Sequence, residues 1–99
     1  MISIVTPTYN RAHTLPNLYM SLLKNQKTYA DFEWVIMDDG SFDDTKHLVE
    51  RWIQEGKVII KYYRQRNQGK MAALNNVIPK TKGAIILEVD SDDYLESHY

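Results

Sequence analysis

Asp90, Asp92 and Asp93 stand in the run Glu88-Val89-Asp90-Ser91-Asp92-Asp93, directly after the apolar stretch Ala84-Ile85-Ile86-Leu87. Three carboxylates gathered at a strand end repel one another and lose hydration if partly buried, and a bound cation offsets both costs. Hard divalent ions prefer oxygen ligands. A Mg²⁺ or Mn²⁺ ion held by one or two carboxylates completes its shell with water and substrate phosphates, so the cluster suits a metal-bridged diphosphate. A solvated acidic turn has the same composition, and the cluster takes its meaning from the residues it faces.

Several motifs are absent, and their absence narrows the chemistry. The first apolar segment is followed by neither Gly-x-Gly-x-x-Gly nor a glycine loop ending in Lys-Ser/Thr, which excludes a dinucleotide fingerprint and a P-loop. Counting from Asp90, Tyr94 and Leu95 fall where a calcium loop needs an oxygen ligand and a glycine. Without a glycine cradle, a diphosphate here needs a cation, which strengthens the metal reading.

Other residues could complete a nucleotide site. Tyr9, just past the first apolar segment, offers a plane that could stack on a nucleobase or pack under its own loop. An ionised Asp39 is an acceptor only and could take a hydrogen bond from a base N–H, while Asp38 could anchor the turn that follows. Asp38-Asp39-Gly40-Ser41 also reads as an ordinary capped turn. Asn67-Gln68-Gly69-Lys70 opens a helical segment, whose first N–H groups together with Lys70 suit phosphate or ribose oxygens; a solvated lysine on a first turn is the plain alternative. His13, His47 and His98 have no partners at metal-ligand spacing.

The elements that must position these residues follow from apolar periodicity. Strands are predicted at Ile2 to Thr6, closed by Pro7; at Phe32 to Met37; at Val58 to Tyr63; and at Ala84 to Val89. The near-continuous apolar character of the last suits a strand covered on both faces. Helices are predicted from Thr14 to Lys27, with Leu15, Leu18, Tyr19, Leu22 and Leu23 inward. A second follows Ser41 or Asp43 as cap, with Leu48, Val49, Trp52 and Ile53 inward and Gly56 at its end. The third runs from Gly69 to Ile78, with Met71, Leu74 and Ile78 inward.

This alternation implies an α/β fold: a Rossmann-like, mainly parallel sheet with helices on both faces and right-handed crossovers. Ligands bind such sheets at the carboxyl ends of the strands, where the strand order reverses. With the order 3-2-1-4, the Pro7-Thr8-Tyr9-Asn10-Arg11 loop and the Asp90 to Asp93 cluster face each other beside Asp38-Asp39.

Composition sets the outer bounds. The 99 residues carry a formal net charge of −1 and no cysteine. No general field attracts nucleic acid, and no disulfide framework or thiolate site exists. No apolar run approaches the roughly 20 residues that span a bilayer, and the first residues lack the pattern of a secretion signal, so a cytoplasmic location is expected.

Together the motifs resemble the N-terminal half of the family 2 glycosyltransferases, which have the GT-A fold. Val5-Thr6-Pro7-Thr8-Tyr9-Asn10-Arg11 looks like that family's first-strand loop, and Met37-Asp38-Asp39-Gly40-Ser41 like its second-strand motif. Asn67-Gln68-Gly69-Lys70 with Ala73 and Asn75 looks like the start of its third helix, and Asp90-Ser91-Asp92-Asp93 like its Asp-x-Asp signature. The likeness covers nearly the whole chain. It implies a nucleotide-sugar donor, most often a UDP sugar, whose phosphates a divalent metal (Mn²⁺ or Mg²⁺) bridges. Tyr9 would then pack against the base and Asp39 would bond it. Pro7, Thr8 and Arg11 would shape the nucleotide loop, Lys70 would lie near the diphosphate or sugar, and Asp92, Asp93 and Asp90 would hold metal and donor.

The same resemblance places the acceptor-activating carboxylate beyond the Asp-x-Asp, so the catalytic base is expected past Tyr99 and no catalytic residue is expected within residues 1–99. These residues are therefore expected to be one partial donor-binding domain, inactive alone, with the saccharide or lipid-linked acceptor met by a longer protein that could lie at the inner face of a membrane. An exposed fourth-strand edge is expected to favour homo-oligomers. Two alternatives stand beside this reading: a Mg²⁺-binding receiver-type regulatory module, and a structural interaction domain with incidental acids. Receivers place paired acids after the first strand, where this chain has Pro7-Thr8-Tyr9-Asn10.

Overall fold

A computed structural model describes residues 2–26, 31–83 and 85–89. Four strands alternate with three helices: β1 (Ile2–Thr8), α1 (Leu15–Lys24), β2 (Phe32–Asp38), α2 (Thr45–Glu55), β3 (Ile60–Arg64), α3 (Lys70–Val77) and β4 (Ile85–Glu88), with a 3₁₀ turn at Ile78–Lys80. All strand pairs are parallel and the order is β3-β2-β1-β4. The expected α/β architecture and strand order are therefore present. β1 runs past Pro7, expected as its end, to pair Thr8 with Asp38.

Period-2 alternation sends successive residues of β1 and β2 to opposite faces, and both faces are covered. On one face Ile4, Trp34 and Ile36 pack against Leu15, Leu18, Tyr19 and Leu22 of α1 and Val49 and Trp52 of α2. Tyr19 stacks on Trp52 with ring centroids 4.3 Å apart, and its hydroxyl donates to Glu55 Oε1 at 2.7 Å, so α1 and α2 are joined. On the other face Val5, Val35 and Met37 meet Ala73 and Val77 of α3. Gly56 ends α2 in the left-handed conformation at φ 69°, its N–H reaching the Trp52 and Ile53 carbonyls.

Four expectations about side chains need correction. Met71 and Ile78 are 69% and 42% exposed, and the inward stripe of α3 is Ala73 and Val77 instead. Successive helical residues are rotated by about 100°, so Met71, two positions before Ala73, falls on the far side. Ile78 has already left the helix for the 3₁₀ turn. Ile53 is likewise exposed, one position beyond the buried Trp52. The capping position of α2 is Asp44, without a side-chain bond; Asp43 instead accepts from Thr45 N–H at 3.1 Å and Oγ1 at 2.6 Å. β4 is not covered on both faces: Ile85 and Ile86 are 62% and 43% exposed, because the strand is an edge whose one described neighbour is β1.

The amino end of the sheet holds a buried carboxylate. Glu33 Oε2 accepts from Ser3 Oγ at 2.6 Å and from Lys82 N–H at 2.7 Å, and Oε1 pairs with Lys61 Nζ at 2.8 Å. Gly83 N–H donates to Ser3 Oγ at 2.7 Å. Burial pushes the Glu33 carboxyl up, but the bonds from Lys61, Ser3 and Lys82 outweigh it and hold the group down at about 2. The charge thereby fixes the chain where it approaches β4.

Candidate functional site

At the carboxyl end of the sheet, three loops are bonded to one another. Asn10 adopts φ 52°, a left-handed conformation that asparagine tolerates. Its N–H donates to Ser41 Oγ at 2.8 Å, its Oδ1 accepts from Phe42 N–H at 2.7 Å, and Ala12 N–H donates to Asp43 Oδ2 at 3.0 Å. The β1–α1 loop is thus laced to the β2–α2 loop. Arg11 contributes its carbonyl to Thr14 and Leu15 N–H groups, which starts α1, while its own residue surface stays exposed.

The two aspartates after β2 have different tasks. Asp38, wholly buried, accepts from Ser41 N–H at 2.8 Å through Oδ1 and from the Tyr62 hydroxyl through Oδ2, so it anchors the turn. Burial and the Asp38 contact together push the Tyr62 hydroxyl above its usual range. Asp39 turns toward the β3–α3 loop. Its Oδ1 accepts from Gln65 Nε2 and Gln68 N–H, both at 2.8 Å, and its Oδ2 from Gly69 N–H at 2.9 Å. Burial raises this carboxyl, but the three bonds outweigh it and the group stays below the ordinary aspartate range. It is therefore ionised at neutral pH and can only accept. A carboxylate has about four acceptor positions, and these bonds use three, leaving one on Oδ2.

Gly40 makes this wrapping possible. It sits at φ 83°, and a Cβ there would meet Asn67 N at 3.1 Å and Gln65 O at 3.3 Å. Next to it an open groove of about 510 Å³ is lined by Gly40, Phe42, Arg64, Gln65, Arg66 and Asn67. That volume lies within the range of small-molecule sites. Arg64 Nη2 donates to Ser41 O at 3.0 Å and closes one wall.

The remaining expected residues fall at the same end of the sheet. Pro7 and Thr8 are the last two residues of β1, opposite Met37 and Asp38. Thr8 is buried, and its Oγ1 has no hydrogen-bond partner among the described residues, which leaves a polar atom open at the strand end. Tyr9 is 40% exposed and meets the Phe42 ring edge-on at 6.3 Å, so its ring is presented rather than packed under the loop. Lys70 begins α3 and lies 3.9 Å from Glu88 of β4.

Asp90, Asp92 and Asp93 lie outside the described residues, and so does Tyr99, past which the catalytic base is expected. The approach to the acidic cluster is defined, since β4 runs parallel to β1 and Val89 N–H donates to Val5 O at 3.0 Å. Among the described residues no three His, Cys, Asp or Glu side chains gather to hold a metal. The carboxylates of Asp90, Asp92 and Asp93 in the sequence, and the unpartnered buried hydroxyl of Thr8 at the end of β1, are oxygen donors of the kind that fits a hard oxygen-seeking ion.

Sequence reasoning missed Gln65 and Asn76, and named Asn10 and Ser41 only as loop and capping residues, not for the bond between them that locks the loops. Asn10 carried a signal as a residue type suited to positive φ in a turn, and Ser41 as part of a capped turn. The bonds of Gln65 and Asn76 are tertiary and leave no local pattern.

Comparison with known proteins agrees with this fold. Residues 3–99 match the sequence profile of Glycosyl transferase family 2. A glycosyltransferase of Haemophilus influenzae is 33% identical over 95 residues, which are 96% of this chain and 37% of that protein. The structure of a fragment of TarS from S. aureus in complex with UDP-GlcNAc superposes with a TM-score of 0.85 at 33% identity, over 97% of this chain and 28% of that one. The mannosyltransferase PcManGT from Pyrobaculum calidifontis, in complex with GDP-Man and Mn²⁺, gives 0.84 at 25% identity, over 92% and 27%. The chain thus spans well under half the length of these relatives. The profile match over nearly every residue and the shared GT-A sheet lead to one assignment: the chain belongs to glycosyl transferase family 2.

Proposed function

We propose that residues 1–99 form the donor-binding part of a glycosyltransferase that transfers a sugar from a nucleoside diphosphate sugar, a UDP sugar, to a saccharide or lipid-linked acceptor. One observation carries the reading: an ionised Asp39, able only to accept, is fixed at the end of β2 beside a presented Tyr9 ring by loops bonded to each other. Such a pair suits a flat base with a ring N–H. The UDP-GlcNAc complex of TarS and the GDP-Man and Mn²⁺ complex of PcManGT support it, since both bases carry such an N–H.

In this reading Tyr9 stacks on the base and Asp39 bonds its edge. Pro7, Thr8 and Arg11 shape the loop around the nucleoside, and Lys70 at the start of α3 neutralises diphosphate charge. Asp92 and Asp93, with Asp90, would hold the divalent ion, Mn²⁺ or Mg²⁺. When bound, that ion supplies Lewis-acid stabilisation of the negative charge that develops on the departing diphosphate. The base that activates the acceptor belongs to a longer protein, past Tyr99, and a cytoplasmic place at the inner membrane face suits a user of such donors. No helix among the described residues is long and apolar enough to cross a membrane.

The receiver-type alternative loses its footing, because the acids follow β2 and β4 and the family match covers the same residues. Calorimetric titration of the chain with UDP, with and without Mn²⁺, tests the proposal. Metal-dependent binding that weakens in both Asp92→Asn and Asp39→Ala is expected. Binding indifferent to both changes, or labelling by an acyl phosphate, overturns it.

A further inference from the structure

Behind Asp39 stands a chain of two amides. Gln65 Nε2 donates to Asp39 Oδ1 at 2.8 Å, and Asn76 Nδ2 donates to Gln65 Oε1 at 2.7 Å. Its direction is not free. An ionised carboxylate has no proton to give, so Gln65 must turn its NH₂ toward Asp39. The planar amide then turns its carbonyl oxygen the other way, and Asn76 must meet that oxygen with its own NH₂. Asn76 thereby secures, from α3, the orientation of Gln65 that Asp39 requires.

We infer that Asn76 and Gln65 are positioning residues that hold Asp39 as a bare acceptor and thereby select nucleotides whose base presents a ring N–H. The inference rests on the nucleotide reading above and deepens it. Uracil carries a proton at N3, where cytosine carries a lone pair and offers its donor one atom further round the ring. An acceptor facing N3 therefore attracts the first and repels the second. Asn76 is exposed and sits outside the three loops of the site, in the second half of α3, so its influence passes through Gln65. The backbone donors Gln68 and Gly69 hold the carboxylate in place whatever occupies position 76.

UDP and CDP share ribose and diphosphate, so the ratio of their affinities reads the base edge alone. The experiment titrates the chain with each nucleotide in Mn²⁺, in the native sequence and in Asn76→Asp and Asn76→Lys. Asn76→Asp places an acceptor where a donor is needed; it repels the Gln65 carbonyl and competes with Asp39 for the Gln65 NH₂, so the hold on Asp39 loosens. The preference for UDP is expected to fall about tenfold, the scale of one hydrogen bond to a charged group. Asn76→Lys keeps a donor and should stay within about twofold of the native preference, given that any added attraction for phosphate is common to both nucleotides. A merely structural surface position predicts the same ratio in all three proteins. Gln65→Met, which removes the donor outright, gives a second variant should Asn76→Asp fail to fold, and a loss at least as large is expected.

An unchanged ratio in Asn76→Asp, or equal losses in the Asp and Lys variants, overturns the inference while leaving the nucleotide reading intact. Failure of the native chain to bind UDP overturns both.

Discussion

Phe42 N–H donates to Asn10 Oδ1 at 2.7 Å, across 32 residues of sequence, and this bond ties the loop after β1 to the loop after β2. The same asparagine holds φ 52°, so one residue supplies both the backbone turn and the bond. The two contributions separate on substitution. Asn10→Gly keeps the turn and loses the side-chain bond, an expected cost of about 1 kcal/mol. Asn10→Ala loses both and should cost about 2 kcal/mol or more. Urea unfolding of the two variants checks the order, and UDP titration should show Asn10→Ala the weaker binder because the Tyr9 ring loses its fixed mount.

Gly40 tolerates no side chain. A methyl group would meet backbone atoms of Asn67 and Gln65, and φ 83° is strained for any L residue. Gly40→Ala is expected to destabilise by about 1–3 kcal/mol and to lift the β3–α3 loop off Asp39. Hydrogen exchange at the Gln68 and Gly69 amides, which Asp39 now protects, should accelerate more than exchange at the sheet centre.

Glu33 makes stability depend on pH in the acid range. Its folded-state carboxyl lies at about 2 against an ordinary 4.5, so its contribution is fully present above pH 4.5 and is lost as pH falls toward 2. The sign follows from a depressed group: the unfolded chain takes up the proton first. The shift corresponds to roughly 3 kcal/mol. Glu33→Gln should remove that part of the acid slope and lower stability at pH 7 by about 2 kcal/mol, read from urea curves between pH 3 and 7.

The β4 edge is expected to let the chain pair with itself. Ile85 and Ile86 are exposed on a strand with one described neighbour, and such an edge is a template for another strand. Sedimentation at rising concentration should show self-association, and Ile86→Lys should return the chain to monomer. A monomeric native chain at the highest concentrations reached overturns this expectation.

Much of the fold was legible because it rests on periodicity. β1 and β2 are buried runs, and α1 carries Leu15, Leu18, Tyr19 and Leu22 on one stripe, a pattern that only a helix on a sheet explains. The alternation of element types then dictated a parallel sheet. α3 was misread because its stripe is narrow and partly made of alanine: Ala73 contributes little hydrophobicity, so Met71 and Ile78 dominated the pattern without facing the sheet. At the site, Tyr9 and Asp39 could be singled out by type and place. The partners of Asp39 could not, since Gln65, Gln68 and Gly69 reach it from a loop more than 25 residues away by bonds that no local rule encodes.

The Ser3–Glu33 network bears on the pairing of the last strand. β1, β2 and β3 are joined by successive local crossovers, whereas β4 returns across the sheet to pair with β1 some 80 residues earlier, as in the bond from Gly83 N–H to Ser3 Oγ. Of the three strand pairings, this one closes the longest loop and carries the largest loop-closure entropy. The buried carboxylate is the clasp on that closure: it seizes the chain at Lys82, just before the last strand is laid down. That pairing is thus held at its entry by a carboxylate, and protonating Glu33 is expected to loosen β4 before the rest of the sheet.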